Sequence, residues 1–176
     1  LAGDERARER AAKLAVYCAW VNGIVLPALK KKSEARPLAR MHVHGYRDAG
    51  AYAQQRACAE GNALARELTT LPPNELTPGA YRKRVRALAR EHGWSVREYD
   101  YRELKRMGAG AFCAVAQGSA VEDAAIVHLA YRPSRAAKKI ALVGKGICFD
   151  TGGHNLKPAR YMEGMHHDMN GDRKST

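Results

Sequence analysis

Between residues 51 and 149 the hydrophobic period of the chain switches repeatedly, from about 3.6 residues in some stretches to about 2 in others. "AYAQQRACAEGNALARELTTL" carries alanine and leucine at helical spacing and runs into Pro72-Pro73, where a missing N–H and a fixed φ stop a helix. "LTPGAYRKRVRALAREHG" has Thr77 as N-cap, Pro78 at the first helical position and Gly93 as C-terminal stop. Its apolar stripe is Tyr81, Val85, Leu88 and Ala89. "WSVREY" alternates as a strand does, and Asp100 with Glu103 has the spacing of a capping box opening the short helix "DYRELKRM". "AFCAVAQG", "AAIVHLAY" and "KKIALVGKGICF" follow as three strand candidates. Helices alternating with short apolar strands predict an α/β domain, with a mixed, largely parallel sheet flanked by helices. Ligands of such sheets bind beyond the carboxyl ends of the strands. Lys145 and Asp150 stand at the end of the most apolar candidate.

The residues before Ala51 lack this order. A mixed-charge opening, an apolar run, "KKK" (30–32) in a loop and "MHVHGYRD" predict that residues 1–50 are the remnant of an N-terminal domain or a poorly ordered segment. The apolar run "LAVYCAWVNGIVLPAL" is shorter than the roughly 20 residues a membrane span needs, and Asn22, Gly23 and Pro27 interrupt it. No small-residue cleavage site follows it, so a signal peptide is not expected either, and the chain is expected to be cytoplasmic. It opens on Leu1 and closes on "GDRKST", which reads as an internal piece of something longer. Cys18, Cys58, Cys113 and Cys148 show no CxxC pairing and are expected to be reduced. His42 and His44 alternate as strand neighbours do, but no third ligand lies near them in sequence. Thirty basic residues against eighteen acidic ones give a net charge of +12, which raises nucleic-acid binding as a function. Few aromatics are interleaved with the basic residues and no zinc-finger spacing occurs, so a solvated basic surface is the expectation.

The run "VGKGICFDTGGHNLKPARYMEGMHHDMNG", residues 143–171, holds two lysines, two aspartates and three histidines. It has neither the order of a Walker A loop nor a G-x-G-x-x-G pattern, so phosphate binding is not expected. Asp150 and Asp168 offer hard oxygen donors suited to manganese, magnesium or zinc. Gly152 and Gly153 permit a sharp turn and close approach to an ion or substrate. A dication that drives the proton off an amine would make Lys145 a neutral nitrogen ligand. Lys157, kept charged, would stabilise negative charge on a carbonyl oxygen, an arrangement suited to metal-assisted attack of water on an amide. The same four residues also make two Lys–Asp ion pairs on a loop, and their types alone do not choose. His154, His166 and His167 lack the i, i+4 partners of helical zinc sites; in an extended segment the adjacent pair would face opposite ways.

This run resembles the signature region of the leucyl aminopeptidase family, the cytosol aminopeptidases: V-G-K-G at a strand end, F-D-[ST]-G-G, L-K-P, then M-x-x-D-M-x-G. Upstream, "LPPNELTP" (71–78) and "AVAQGS" (114–119) resemble family elements too, so that the likeness covers about residues 51–171. It implies that residues 51–176 are the N-terminal part of a metallo-aminopeptidase catalytic domain. Lys145 is then an amine ligand of one metal, Asp150 bridges two, and Asp168 ligates the same ion as Lys145. Lys157 becomes the catalytic lysine that polarises the substrate carbonyl. The implied reaction is release of an N-terminal amino acid, often leucine, from a peptide by attack of a metal-bound hydroxide. The implied cofactors are two divalent ions, Mn2+ or Zn2+, with bicarbonate assisting, and the implied assembly is a cytoplasmic homo-hexamer.

Two departures bear on activity. After "DMNG" the chain reads Asp172, Arg173, Lys174, Ser175, Thr176, where family members continue with small residues. The family's second signature, N-T-D-A-E-G-R, does not occur, and with it go the carboxylates that complete two metal sites and the arginine that holds bicarbonate. The alternative expectation is therefore a catalytically inactive remnant with at most weak single-metal binding.

Overall fold

The computed structural model describes residues 2–29, 35–134, 138–154 and 156–170, with the side chains of 168–170 outside the description. The lysine run at 30–32 lies outside it. The chain divides into two compact units, Leu1–Leu71 and Pro72–Thr176.

The first unit is a pair of helices. Helix α1, Glu5–Asn22, starts at Asp4, whose carboxylate accepts from the Ala7 N–H at 2.7 Å. It joins the mixed-charge opening and the apolar run into one element, burying Ala12 and Val16. Helix α2, Ala53–Thr70, packs on it, buries Ala59 and Leu68, and stops before Pro72 as its sequence requires. Arg66 ties the two by donating to the Val21 carbonyl near the end of α1.

The second unit follows the alternation read from the sequence for four of its elements. Helix α3, Pro78–His92, is capped by Thr77, whose hydroxyl accepts from Ala80 N–H at 3.2 Å, and ends at Gly93 with φ +68°. Ala89 is buried and Tyr81, Val85 and Leu88 are partly buried, as the stripe predicts. Strand β1, Ser95–Asp100, runs directly into helix α4, Tyr101–Arg106. Asp100 caps α4 by accepting from Glu103 N–H at 2.8 Å. The Glu103 carboxylate does not reach back to complete a box; it takes Arg97 at 2.7 Å. Strand β2, Ala125–Ala130, pairs antiparallel with β1, from Ser95 opposite Ala130 to Asp100 opposite Ala125.

Two of the strand expectations need correction. "AFCAVAQG" forms helix α5, Gly110–Ala116, which packs on α4. A short apolar run fits either period, and its alanines favour the helix once α4 offers a surface. The described part of "KKIALVGKGICF" is without regular structure, and Ile140, Leu142 and Val143 are 84%, 93% and 100% exposed. A strand exists only through a neighbour's hydrogen bonds, and among the described residues no neighbour pairs with this one. The architecture is thus mixed helix and strand with a small antiparallel sheet, an incomplete α/β domain.

Helix α3 is fastened to the sheet through Glu98 on β1. Its carboxylate takes Arg82 at 2.5 and 2.9 Å and Arg86 at 2.7 Å, with the side chain 16% exposed. Burial pushes the Glu98 carboxyl up, but the two guanidiniums outweigh it and hold it below the usual range. A lowered folded-state value means that its stabilisation is full above the unfolded value, about 4.3, and is lost as pH falls through the folded one. Glu98→Ala should therefore cost about 1.5–3 kcal/mol at pH 7 by stranding charged partners. In urea titrations followed by circular dichroism the deficit should shrink as pH is lowered below about 4. A pH-independent deficit would show that the carboxylate charge is not what holds α3.

Candidate functional site

Of the residues singled out between 143 and 171, Asp150, Gly152, Gly153 and Lys157 meet in one turn. Asp150 opens it, and its Oδ1 accepts from Gly152 N–H at 2.8 Å. Gly152 and Gly153 then take φ of +77° and +113°, conformations that only glycine adopts without strain. The chain reverses, and Lys157 N–H donates to the Thr151 carbonyl at 3.0 Å. This return brings the Lys157 ammonium to Asp150 Oδ2 at 2.7 Å and to the Asp150 carbonyl at 3.1 Å. The turn is tight enough that a Cβ on Gly152 would stand 3.0 Å from Lys157 Cγ.

The electrostatics follow the geometry. The Lys157 ammonium, then the Gly152 N–H, hold the Asp150 carboxyl below the ordinary carboxylate range against a smaller opposing effect of burial. The charge of Lys145 lowers it further, so Lys145 acts on the same carboxylate from five residues upstream. Lys145 itself is exposed on the segment that leads into the turn.

Asp168 lies in a short 3-10 helix, Met165–Asn170, but its side chain falls outside the described residues. The same helix reaches the turn by another atom, since Asp150 N–H donates to Met165 Sδ at 3.3 Å. Met165 opens the M-x-x-D-M-x-G motif, but nothing in the sequence pattern gave its thioether a role as acceptor. His166 and His167 meet edge to face with ring centroids 4.1 Å apart, since helical winding replaces the extended geometry that would have separated them. Burial, then the neighbouring His167, lowers the His166 imidazole. His154 is exposed on the turn.

Chemically, the arrangement offers one carboxylate paired with Lys157, with the charge of Lys145 acting on it from farther off. Each oxygen of Asp150 accepts one hydrogen bond and keeps a second lone pair for a cation. That donor set fits one side of a divalent-metal site. Among the described residues no group of three or more His, Cys, Asp or Glu side chains stands ready to hold an ion. Of the two ion pairs the sequence allowed, Lys157–Asp150 forms.

Similarity to known proteins covers the same region. A family model described as the catalytic domain of the cytosol aminopeptidase family matches residues 63–173. A probable cytosol aminopeptidase of Persephonella marina is 43% identical over 113 residues, covering 64% of this chain and 22% of the relative. A probable cytosol aminopeptidase of Leifsonia xyli is 41% identical over 143 residues, 80% of this chain and 29% of the relative. Among solved structures, the bottromycin maturation enzyme BotP in complex with Mn superposes with a TM-score of 0.74 at 36% identity, over 93% of this chain and 34% of that one. A leucyl aminopeptidase from Trypanosoma brucei in complex with bestatin gives 0.60 at 35% identity, over 66% and 22%. The chain spans between 22% and 34% of the length of these relatives.

If the Asp150 turn depends on its glycines, Gly152→Ala should lower stability by about 1–2 kcal/mol in chemical denaturation, the cost of a left-handed alanine. Gly144→Ala, which meets nothing within 4 Å, should stay within about 0.5 kcal/mol of wild type. Equal midpoints for the two variants would remove the turn as a constraint.

Proposed function

This chain belongs to the cytosol aminopeptidase family, and on that ground we propose that it serves a metal-dependent aminopeptidase releasing N-terminal amino acids, often leucine, from peptides. The observation that carries this reading is the Asp150 turn. One carboxylate there is held ionised by Lys157, with the charge of Lys145 acting from farther off, inside the region matched by the family. Asp150, Lys145 and Asp168 would hold the divalent ions, Mn2+ or Zn2+. When bound, the ions would supply Lewis-acid polarisation of the peptide carbonyl and a water that loses its proton readily enough to act as nucleophile.

The chain's own contribution is the placement of Lys157. Its terminal nitrogen is tethered to the side chain and carbonyl of Asp150, so it reaches the site already oriented. A scissile carbonyl entering beside Asp150 would receive this ammonium as a hydrogen-bond donor, and the bond strengthens as the oxygen gains negative charge. Lys145 serves as a ligand only without its proton, so metal affinity should rise with pH as protons are released on binding. Peptide substrates, a cytoplasmic location and a homo-hexameric assembly belong to the same reading. No helix among the described residues is long and apolar enough to cross a membrane.

A second reading, weak binding of one ion without catalysis, is favoured by the lack of a three-ligand cluster among the described residues. Hydrolysis of leucine p-nitroanilide with added Mn2+ or Zn2+, run beside Mn2+ titration by electron paramagnetic resonance, separates the two. Hydrolysis abolished by Asp150→Asn supports the enzyme. Mn2+ binding lost in that variant, with no hydrolysis in wild type, supports the second reading.

In the active enzyme, Lys157→Ala should lower kcat about 10²–10³-fold, the usual cost of removing a donor to a developing oxyanion. Its Mn2+ affinity should hold or rise, because the ammonium competing for Asp150 is gone. Turnover near wild type would remove Lys157 from the chemistry.

A further inference from the structure

The segment carrying Lys145 and Asp150 has no backbone ladder among the described residues, and its upstream apolar side chains Ile140, Leu142 and Val143 stand in solvent. Two candidate ligands five residues apart on such a segment would not keep a fixed spacing unless something braces the chain between them. The brace lies on helix α3. A Cβ on Gly146 would stand 3.3 Å from Tyr81 Cε1, so the Gly146 backbone lies close against the Tyr81 ring. Two residues on, Cys148 is 8% exposed, and the Tyr81 hydroxyl is pushed up by burial and by the nearby Cys148. Tyr81 sits in the first turn of α3, which is itself fixed on both sides. Gly79 N–H donates to Asp123 Oδ2 at 2.8 Å, Arg82 donates to the Asp123 carbonyl at 2.8 Å, and Arg82 also holds Glu98. At its far end the segment is secured by Asp150 N–H on Met165 and by the Lys157 pair.

We propose that Tyr81 is a positioning residue for the metal site, bracing Gly146 on helix α3 so that Lys145 and Asp150 keep the spacing of ligands to one ion. This rests on the metal-site reading given above. Tyr81 touches neither ion nor substrate and acts through the backbone between the two ligands. Gly146 has no left-handed φ, so its preference for glycine is steric: a Cβ there would crowd Tyr81 Cε1, and ring or segment would have to give by a few tenths of an ångström.

Two readouts on the same variants test this. Mn2+ affinity, by electron paramagnetic resonance, should weaken about tenfold in Tyr81→Ala and in Gly146→Ala, the low end of the effect of a residue supporting metal ligands. Tyr81→Phe, which keeps the ring, should stay within about twofold of wild type. The second readout is the rate at which Cys148 reacts with iodoacetamide, located by mass spectrometry. It should rise severalfold in Tyr81→Ala while the half-buried Cys113 of the same unit reacts as in wild type. Faster reaction at Cys113 as well would mean that the unit has unfolded, and would overturn a local role. Wild-type Mn2+ affinity in Tyr81→Ala overturns the proposal while leaving the metal site standing. No Mn2+ binding by the wild type overturns the site reading, and this inference with it.

Discussion

The docking of α3 on the sheet turns above all on one carboxylate. Glu98 projects from β1 between two arginines of α3, and Asp123, just before β2, adds a bond from the Gly79 N–H. A carboxylate so nearly covered would be costly if unpaired, so the helix can dock only with Arg82 and Arg86 facing the strand. That choice sets the rotation of α3 about its axis. With Arg82 committed inward, Tyr81 one residue earlier faces the segment that carries Lys145 and Asp150, and Gly79 faces Asp123. The candidate site therefore inherits its position from an ion pair well outside it.

Within the site the competition is for Asp150. Its carboxylate closes the glycine turn, holds the Lys157 ammonium and is the donor best suited to a divalent cation. These roles are compatible because a carboxylate has more lone pairs than the turn consumes. Their cost is conformational. Two successive glycines at positive φ are needed to return the chain far enough for Lys157 to reach back over its own turn. A side chain at the first of them would meet Lys157 itself, so the glycine and the lysine are one requirement.

Local signals in the sequence were legible wherever the deciding interaction spans a few residues. Thr77, Pro78 and Gly93 bound α3 because caps and stops act on adjacent backbone groups. Asp100 starts α4 for the same reason, although its expected partner Glu103 turned instead to Arg97, which lies nearer in space than the sequence could show. The run at 111–118 forms a helix instead of a strand because its period is ambiguous and a tertiary neighbour decides it. The run at 138–149 forms no strand among the described residues because pairing lies in the partner strand and not in the strand's own composition.

What the sequence by itself determined is the family and the glycines that let Asp150 and Lys157 meet. These are readable because a family's motifs and a turn's glycines lie in short stretches of adjacent residues. Tertiary structure alone decided that Lys157 rests on Asp150, that Met165 receives the Asp150 N–H, and that Tyr81 lies against Gly146. Met165 and Tyr81 are apolar-class residues brought in from 15 and 65 positions away from their partners (165 − 150 and 146 − 81). Packing at that range depends on how α3 is turned, and no local pattern in the chain encodes the turning of one helix against a distant loop.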